Sequence, residues 1–461
     1  MPRMFKHRIV VLSLLLVIAL VASACTNSGN SDDSSSTSGV TESTDVGPTT
    51  TTEAPLTTLP SGAIPGANSP SIPSDVAETM RQEIGALMLD AEESRGLPFL
   101  SVPTVTILDP DDFRQRVNTD LKEDIDSDEL ASDEALYKLL GLLDDDANLE
   151  AMLVALYTEQ VAGFYDPETK ELVVPVSIDG ITPLQRVVIV HELVHALTDQ
   201  HFDFNDEYER RLDEGTGDDA SGVLALVEGD ATYQQFLFLE GMSPADAVQV
   251  ALEAIAIDTS VLDLAPEWMQ KDLSFPYEQG LGFVGELVAT GGLKGVDEAY
   301  QDLPLSSEQI LDPNKYLRSE GPDDLDPLAV SLDGWDLSDE ATFGEWGIRT
   351  LLTNTVTPGA ATQAGAGWGN DTYRFFERGD DAAIAWKYAG ETEQDAEDLV
   401  DALILHARGT MGAGDSREAG GGLLFDGGSP YVFIDRVDDA IFFIASTDPA
   451  AGADLREQLG L

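Results

Sequence analysis

Helical spacing of apolar residues first appears between Val76 and Arg95, where Met80, Ile84, Met88 and Leu89 share one face. A β-rich run from Val102 to Leu108 follows, and Pro110 opens another helix. Between Leu121 and Glu150 acidic residues alternate with Leu-rich turns, the pattern of short surface helices that pack on one side only. From Phe164 to Val174 β-prone residues flank a turn containing Asp166-Pro167, which predicts a hairpin. The chain then enters a helix whose start is signalled by Thr182 as N-cap, Pro183 at the first position and Gln185 at the third. Val187, Val188, Ile189, Val190, Leu193, Val194, Ala196 and Leu197 make it apolar nearly all round, so it belongs in a core. A second, mostly apolar helix covers 222–233. Leu281 to Ala289 forms a third that stops at Gly291-Gly292, and Ser306-Ser307-Glu308-Gln309 opens a short fourth.

Past Leu332 the pattern changes. A helix around Phe343 to Leu352 leads into a Gly-rich loop at Gly365-Ala366-Gly367-Trp368-Gly369, then short strands near Tyr373 to Phe376 and Ala383 to Tyr388. A helix from Glu393 to Ala407 and strands at Leu423 to Phe425, Tyr431 to Ile434 and Ala440 to Ala445 complete a small unit. The fold class is therefore α+β, with one domain over 74–331 and a second over 332–461. Trp368 and Trp386 read as packing residues of the second unit rather than a ligand site.

Residues 26–73 are Ser, Thr, Gly and Pro with few large apolar side chains, too little to bury, and they read as a tether. Ahead of it, Arg3, Lys6 and Arg8 precede an apolar run from Ile9 to Val21, then Ala22-Ser23-Ala24 and Cys25. The run is too short to span a bilayer. Cys25 is the sole cysteine, which excludes an intrachain disulfide. This arrangement resembles the lipobox of bacterial lipoprotein signal peptides. The resemblance implies a leader over 1–24, cleavage before Cys25, lipidation of its sulfur, and a protein held outside the cytoplasm at the cell membrane with a tether over 25–73.

Charge narrows the partners. With 85 acidic and 25 basic residues among 461, the formal net charge is -60, which repels phosphate backbones and excludes nucleic acid as a partner. Most of this acid reads as solvated surface; clusters at Asp109, Asp111 and Asp112 and at Asp144 to Asp146 have carboxylates for calcium but no known loop spacing.

The buried helix carries the chemistry. His191 and His195 lie four apart in His191-Glu192-Leu193-Val194-His195, so both imidazoles project from one face and can hold one zinc ion. Glu192 falls beside them, within reach of a zinc-activated water as its general base. Buried ionisable groups are costly unless paired or coordinated, and a metal supplies the reason for these.

Two residues compete to complete the site. His201 lies six residues after His195, the metzincin spacing, but Thr198 stands where metzincins place Gly, and a continuing helix would turn His201 away. Glu228, a lone carboxylate after six mostly apolar residues and beside the small Gly229 and Ala231, is the better candidate. Here the chain, over roughly 156–316, resembles the gluzincin branch of the HExxH zinc metallopeptidases. The resemblance implies a zincin-like catalytic domain, Glu228 as third zinc ligand, and cleavage of peptide or protein substrates by a cell-surface endopeptidase. Thr232 occupies the place of that family's usual acidic residue, which leaves Asp230 or a more distant group to support the histidines. Tyr233, Tyr277 and Tyr300 are candidates to donate to an oxyanion. Two rivals share the motif: a zinc amidase acting on cell-wall peptides, and an inactive binding lipoprotein with a relic zinc site.

Overall fold

Strand formation follows the β-branched and aromatic runs. The computed structural model describes residues Val11–Leu14 and 64–461; Cys25 and most of the leader and tether lie outside them. A four-stranded sheet is built from β1 (Val11–Leu14), β2 (Thr104–Leu108), β3 (Val161–Asp166) and β4 (Glu171–Pro175) in the order β1-β3-β4-β2. The predicted hairpin is β3–β4, antiparallel with Phe164 opposite Val173, and β2 runs parallel to β4. β1 lies antiparallel on the outer edge of β3, with Val11 opposite Tyr165. Residues 64–73, expected in the tether, instead run along β2: Val105 N–H donates to Pro65 O and Ile107 N–H to Ala67 O. Ile72 is buried there, enough apolar anchorage to order a segment of otherwise polar composition.

Helix α1 (Ser74–Arg95) packs on this sheet through Met80, Ile84, Leu87 and Met88, while Leu89, expected on that face, points to solvent. α2 (Pro110–Asp124) is capped by Asp109, whose carboxylate accepts Asp111 and Asp112 N–H; capping explains that acidic cluster. α3 (Ser127–Leu139) and α4 (Leu149–Gln160) correct the surface-helix expectation for 121–150. Leu136, Tyr137, Leu140, Leu143 and Leu153 are buried in the core that also holds Trp386 and Phe443, because the Leu-rich turns meet apolar surface from the end of the chain.

The central helix α5 (Pro183–Phe202) starts with the predicted capping box, both halves formed between Thr182 and Gln185. After α6 (Asn205–Glu214) comes α7 (Asp218–Gly241), then α8 (Pro244–Ile255), α9 (Ser260–Leu264) and α10 (Glu267–Gly291). α10 begins well before the expected start at Leu281 and passes through Pro276; burial of Trp268, Met269, Phe275, Tyr277 and Phe283 along it outweighs the lost backbone bond. α7 and α10 cross with backbones in contact. A Cβ on Gly280 would lie 2.1 Å from Ala225 O, and one on Gly229 2.3 Å from Gly280 O. α11 (Leu293–Ala299), α12 (Ser307–Leu311) and α13 (Pro313–Leu317) close this half.

The C-terminal unit is one antiparallel sheet in the order β5-β6-β7-β11-β10-β9-β8. Its strands are β5 (Asp336–Ala341), β6 (Trp368–Arg378), β7 (Asp381–Gly390), β8 (Ser416–Ala419), β9 (Gly422–Phe425), β10 (Tyr431–Val437) and β11 (Ala440–Ser446). α14 (Gly344–Leu351), α15 (Pro358–Gly365) and α16 (Glu393–Gly409) contribute to the core on one face, and α17 (Pro449–Gln458) packs on the other. Alternation decides the faces: Ile384 and Trp386 enter the first core, Ala383 and Ala385 the second. β5, β8, α15 and α17 had no clear sequence signal. Buried Asp371 accepts Phe343 and Gly344 N–H (both 2.9 Å) and the indoles of Trp368 (2.7 Å) and Trp386 (2.8 Å), so the two tryptophans pack as expected around a hydrogen-bonded carboxylate.

His406 on α16 is fully buried, 2.9 Å from Leu140 O and 2.7 Å from Thr355 Oγ1. A carbonyl only accepts, so Nε2 carries the proton and the ring is neutral; burial lowers its pKa to about 4 from 6.5. The unfolded chain binds more protons here, so stability falls as pH drops from 6.5 towards 4, by about 3 kcal/mol for the full shift. Urea titrations across that window should show His406→Gln with the shallower pH dependence. Gly280→Ala should cost about 1–3 kcal/mol by forcing the crossing apart, measured as a lower denaturation midpoint.

Candidate metal centre

α5 is buried because its apolar residues face the small sheet on one side and α7 on the other, and that burial carries its polar residues inside with it. His191, Glu192 and His195 are at most 2% exposed, as is Glu228 on α7. The Gly229–Gly280 crossing seats α7 against α10 directly beside Glu228.

The three predicted ligands converge. His191 Nε2 lies 3.0 Å from Glu228 Oε2 and 3.0 Å from His195 Nε2, and His195 Nε2 lies 3.4 Å from the same carboxylate oxygen. Their donor atoms all fall within 4.8 Å of one another. The two rings meet edge to face, centroids 4.7 Å apart. Burial lowers the pKa of His191, against the pull of Glu228. Burial raises that of Glu228, but the charge of His195 and the bonds from both histidines outweigh it and bring it down to about 2. A neutral imidazole and an ionised carboxylate are the forms that bind a metal.

Glu192 sits one residue from His191, and its Oε2 accepts the backbone N–H of Tyr165 on β3 at 2.9 Å. Burial first, and then the charge of Glu228, push its carboxyl well above the usual range. No lysine or arginine ion pair to Glu228 occurs among the described residues. Arg95 bonds Asp230 at 2.8 Å and Asp297 at 2.7 Å, and Lys170 bonds Asp199 at 2.8 Å. The Glu228 carboxylate and two imidazoles thus share a buried site that could hold a divalent ion with affinity for N and O donors.

The competing residues are placed elsewhere. α5 continues beyond His195 to Phe202, and His201 Nε2–H donates to Pro98 O at 2.7 Å, away from the centre. Asp230, considered as support for the histidines, is taken by Arg95, and neither His191 Nδ1 nor His195 Nδ1 has a hydrogen-bond partner among the described residues. Of the three tyrosines, Tyr277 stacks on His191 with centroids 6.2 Å apart. Tyr300 stacks on Phe202 at 4.5 Å and Tyr233 packs in the α7–α10 core. Tyr165 was missed, since its contribution is a backbone N–H and has no residue signature. Its hydroxyl also donates to buried Asp199 (2.7 Å), which ties β3 to α5 a second time.

A family model described as a domain of unknown function (DUF8575) matches residues 332–449. That stretch is the C-terminal sheet and lies outside the metal-ligand cluster. No curated protein and no solved structure matches the chain.

Metal analysis after dialysis into zinc separates the two ligand sets. The parent and His201→Ala should retain stoichiometric zinc, while Glu228→Ala and His195→Ala lose it; the reverse pattern would assign the third ligand to His201.

Proposed function

We propose that this chain is a zinc-dependent endopeptidase of the gluzincin type, exported and held to the cell membrane by lipid at Cys25. The observation that carries the reading is the buried convergence of His191, His195 and Glu228 next to a carboxylate, Glu192, that is oriented by a strand backbone. His191, His195 and Glu228 would hold the metal, which when bound supplies a Lewis acid for a scissile carbonyl and a water of lowered pKa.

The chain's own residues do the rest. Glu192 accepts the proton of the attacking water on its carboxylate and delivers it to the leaving amide nitrogen. Tyr165 N–H restrains one carboxylate oxygen of Glu192. Tyr277, the one of the three candidate tyrosines whose ring stacks on His191, would donate to the developing oxyanion. The outer edge of β3 receives substrate: β1 occupies that edge, and removal of a leader before Cys25 takes β1 away and frees backbone groups for an extended peptide.

Hydrolysis of fluorescently labelled casein tests the reading. A zinc chelator should abolish cleavage and added zinc restore it. Glu192→Gln should lower kcat/KM by about 100- to 10,000-fold, with zinc content and circular dichroism unchanged. Tyr277→Phe should lower kcat by roughly 100-fold with little change in KM. Undiminished turnover by Glu192→Gln, or no turnover of any unfolded protein by the zinc-loaded parent, would overturn it.

A further inference from the structure

Helix α8 buries Val250 and Ala254 and turns an apolar stripe outward. Val248 is 61% exposed, Leu252 58% and Ile255 79%, at i, i+4 and i+7, so the three side chains line one face. On the following α9, Leu264 is 84% exposed. Single exposed apolar residues are ordinary, but a helical row of three that no other described residue covers marks an interaction surface.

Charge decides what it fits. No lysine or arginine occurs between Arg211 and Lys271, while Glu240, Asp258 and Asp263, close to the stripe in sequence, are exposed. A helix that beds into a membrane surface carries Lys and Arg on its polar face to meet anionic lipid, and this one carries none. A second copy would bring the same carboxylates face to face, which is destabilising. The complementary partner is an amphipathic segment with apolar residues on one side and basic residues on the other.

Position ties the surface to the metal centre. Val250 packs with Leu184, Val187 and Val188 of α5, and Ala162 of β3 packs against the same cluster. Glu253 accepts Leu184 N–H at 3.0 Å, fixing α8 to the first turn of the histidine helix. We infer that α8, through Val248, Leu252 and Ile255 within their acidic surround, is a docking surface for cationic amphipathic peptides and delivers them to the edge of β3. The inference rests on the proposed peptidase reading for the destination and on the stripe alone for the binding.

The test uses the exported chain without its leader, carrying Glu192→Gln to stop turnover and Cys25→Ser to remove the lipid. A fluorescein-labelled helical peptide of Leu and Lys is titrated by anisotropy beside its Leu and Glu counterpart. The Lys peptide should bind saturably and more weakly as salt rises, and the Glu peptide should not bind. Val248→Ser, Leu252→Ser and Ile255→Ser together should weaken binding about tenfold or more. Because all three positions are exposed, the fold should be unchanged by circular dichroism. Asp258→Asn with Asp263→Asn should weaken it and flatten the salt dependence. Equal binding of the Glu peptide, indifference to the stripe substitutions, stripe-dependent binding to phosphatidylcholine vesicles, or a stripe-dependent dimer would each overturn the inference. Binding by Glu192→Gln with no cleavage by the parent would leave docking standing and sink the peptidase. Cleavage by the parent with no effect of the stripe substitutions on Lys-peptide binding would do the opposite.

Discussion

The structure turns on the cost of burying carboxylates. Glu192 and Glu228 lie buried in a helix crossing; burial disfavours charge on both, and the histidines offset that cost at Glu228. Ligand atoms of His191, His195 and Glu228 converging within 4.8 Å are an arrangement that a divalent ion would stabilise further. The apolar sheath of α5 therefore both creates the problem and shapes its solution: it excludes water, which strengthens whatever electrostatic interaction remains.

Other buried acids in the chain show the contrast. Asp371 is surrounded by four N–H donors, Asp230 is paired with Arg95, and Glu308 is bonded to Lys315. Each is satisfied by the protein itself and serves packing. Among the described residues, Glu228 is the buried acid that meets imidazoles, and there the donor set could hold a metal. The small backbone-to-backbone crossing at Gly229 and Gly280 and the Tyr165 N–H bond to Glu192 then govern orientation from two sides.

An acidic surface suits the same economy at longer range. Charge of one sign makes the surface attractive to basic partners. The apolar row on α8 sits within that field, so two independent features of the surface select for one kind of peptide.

Much of this was written locally. The capping box at Thr182, the four-residue spacing of His191 and His195, the β3–β4 hairpin and most of the α+β pattern after Leu332 depend on neighbours in sequence, and there periodicity and caps are informative. So was Glu228, because a lone acid in an apolar helix stands out. What the chain could not show residue by residue depended on contacts between distant segments. Leu89 fell outside the core, the stretch 121–150 was drawn into the C-terminal core, and α10 ran through Pro276, because tertiary burial overrode local preference. The turning of His201 away from the cluster came from α5 continuing to Phe202, and the grip on Glu192 from a backbone N–H of Tyr165 brought from another strand, which any residue but proline would present.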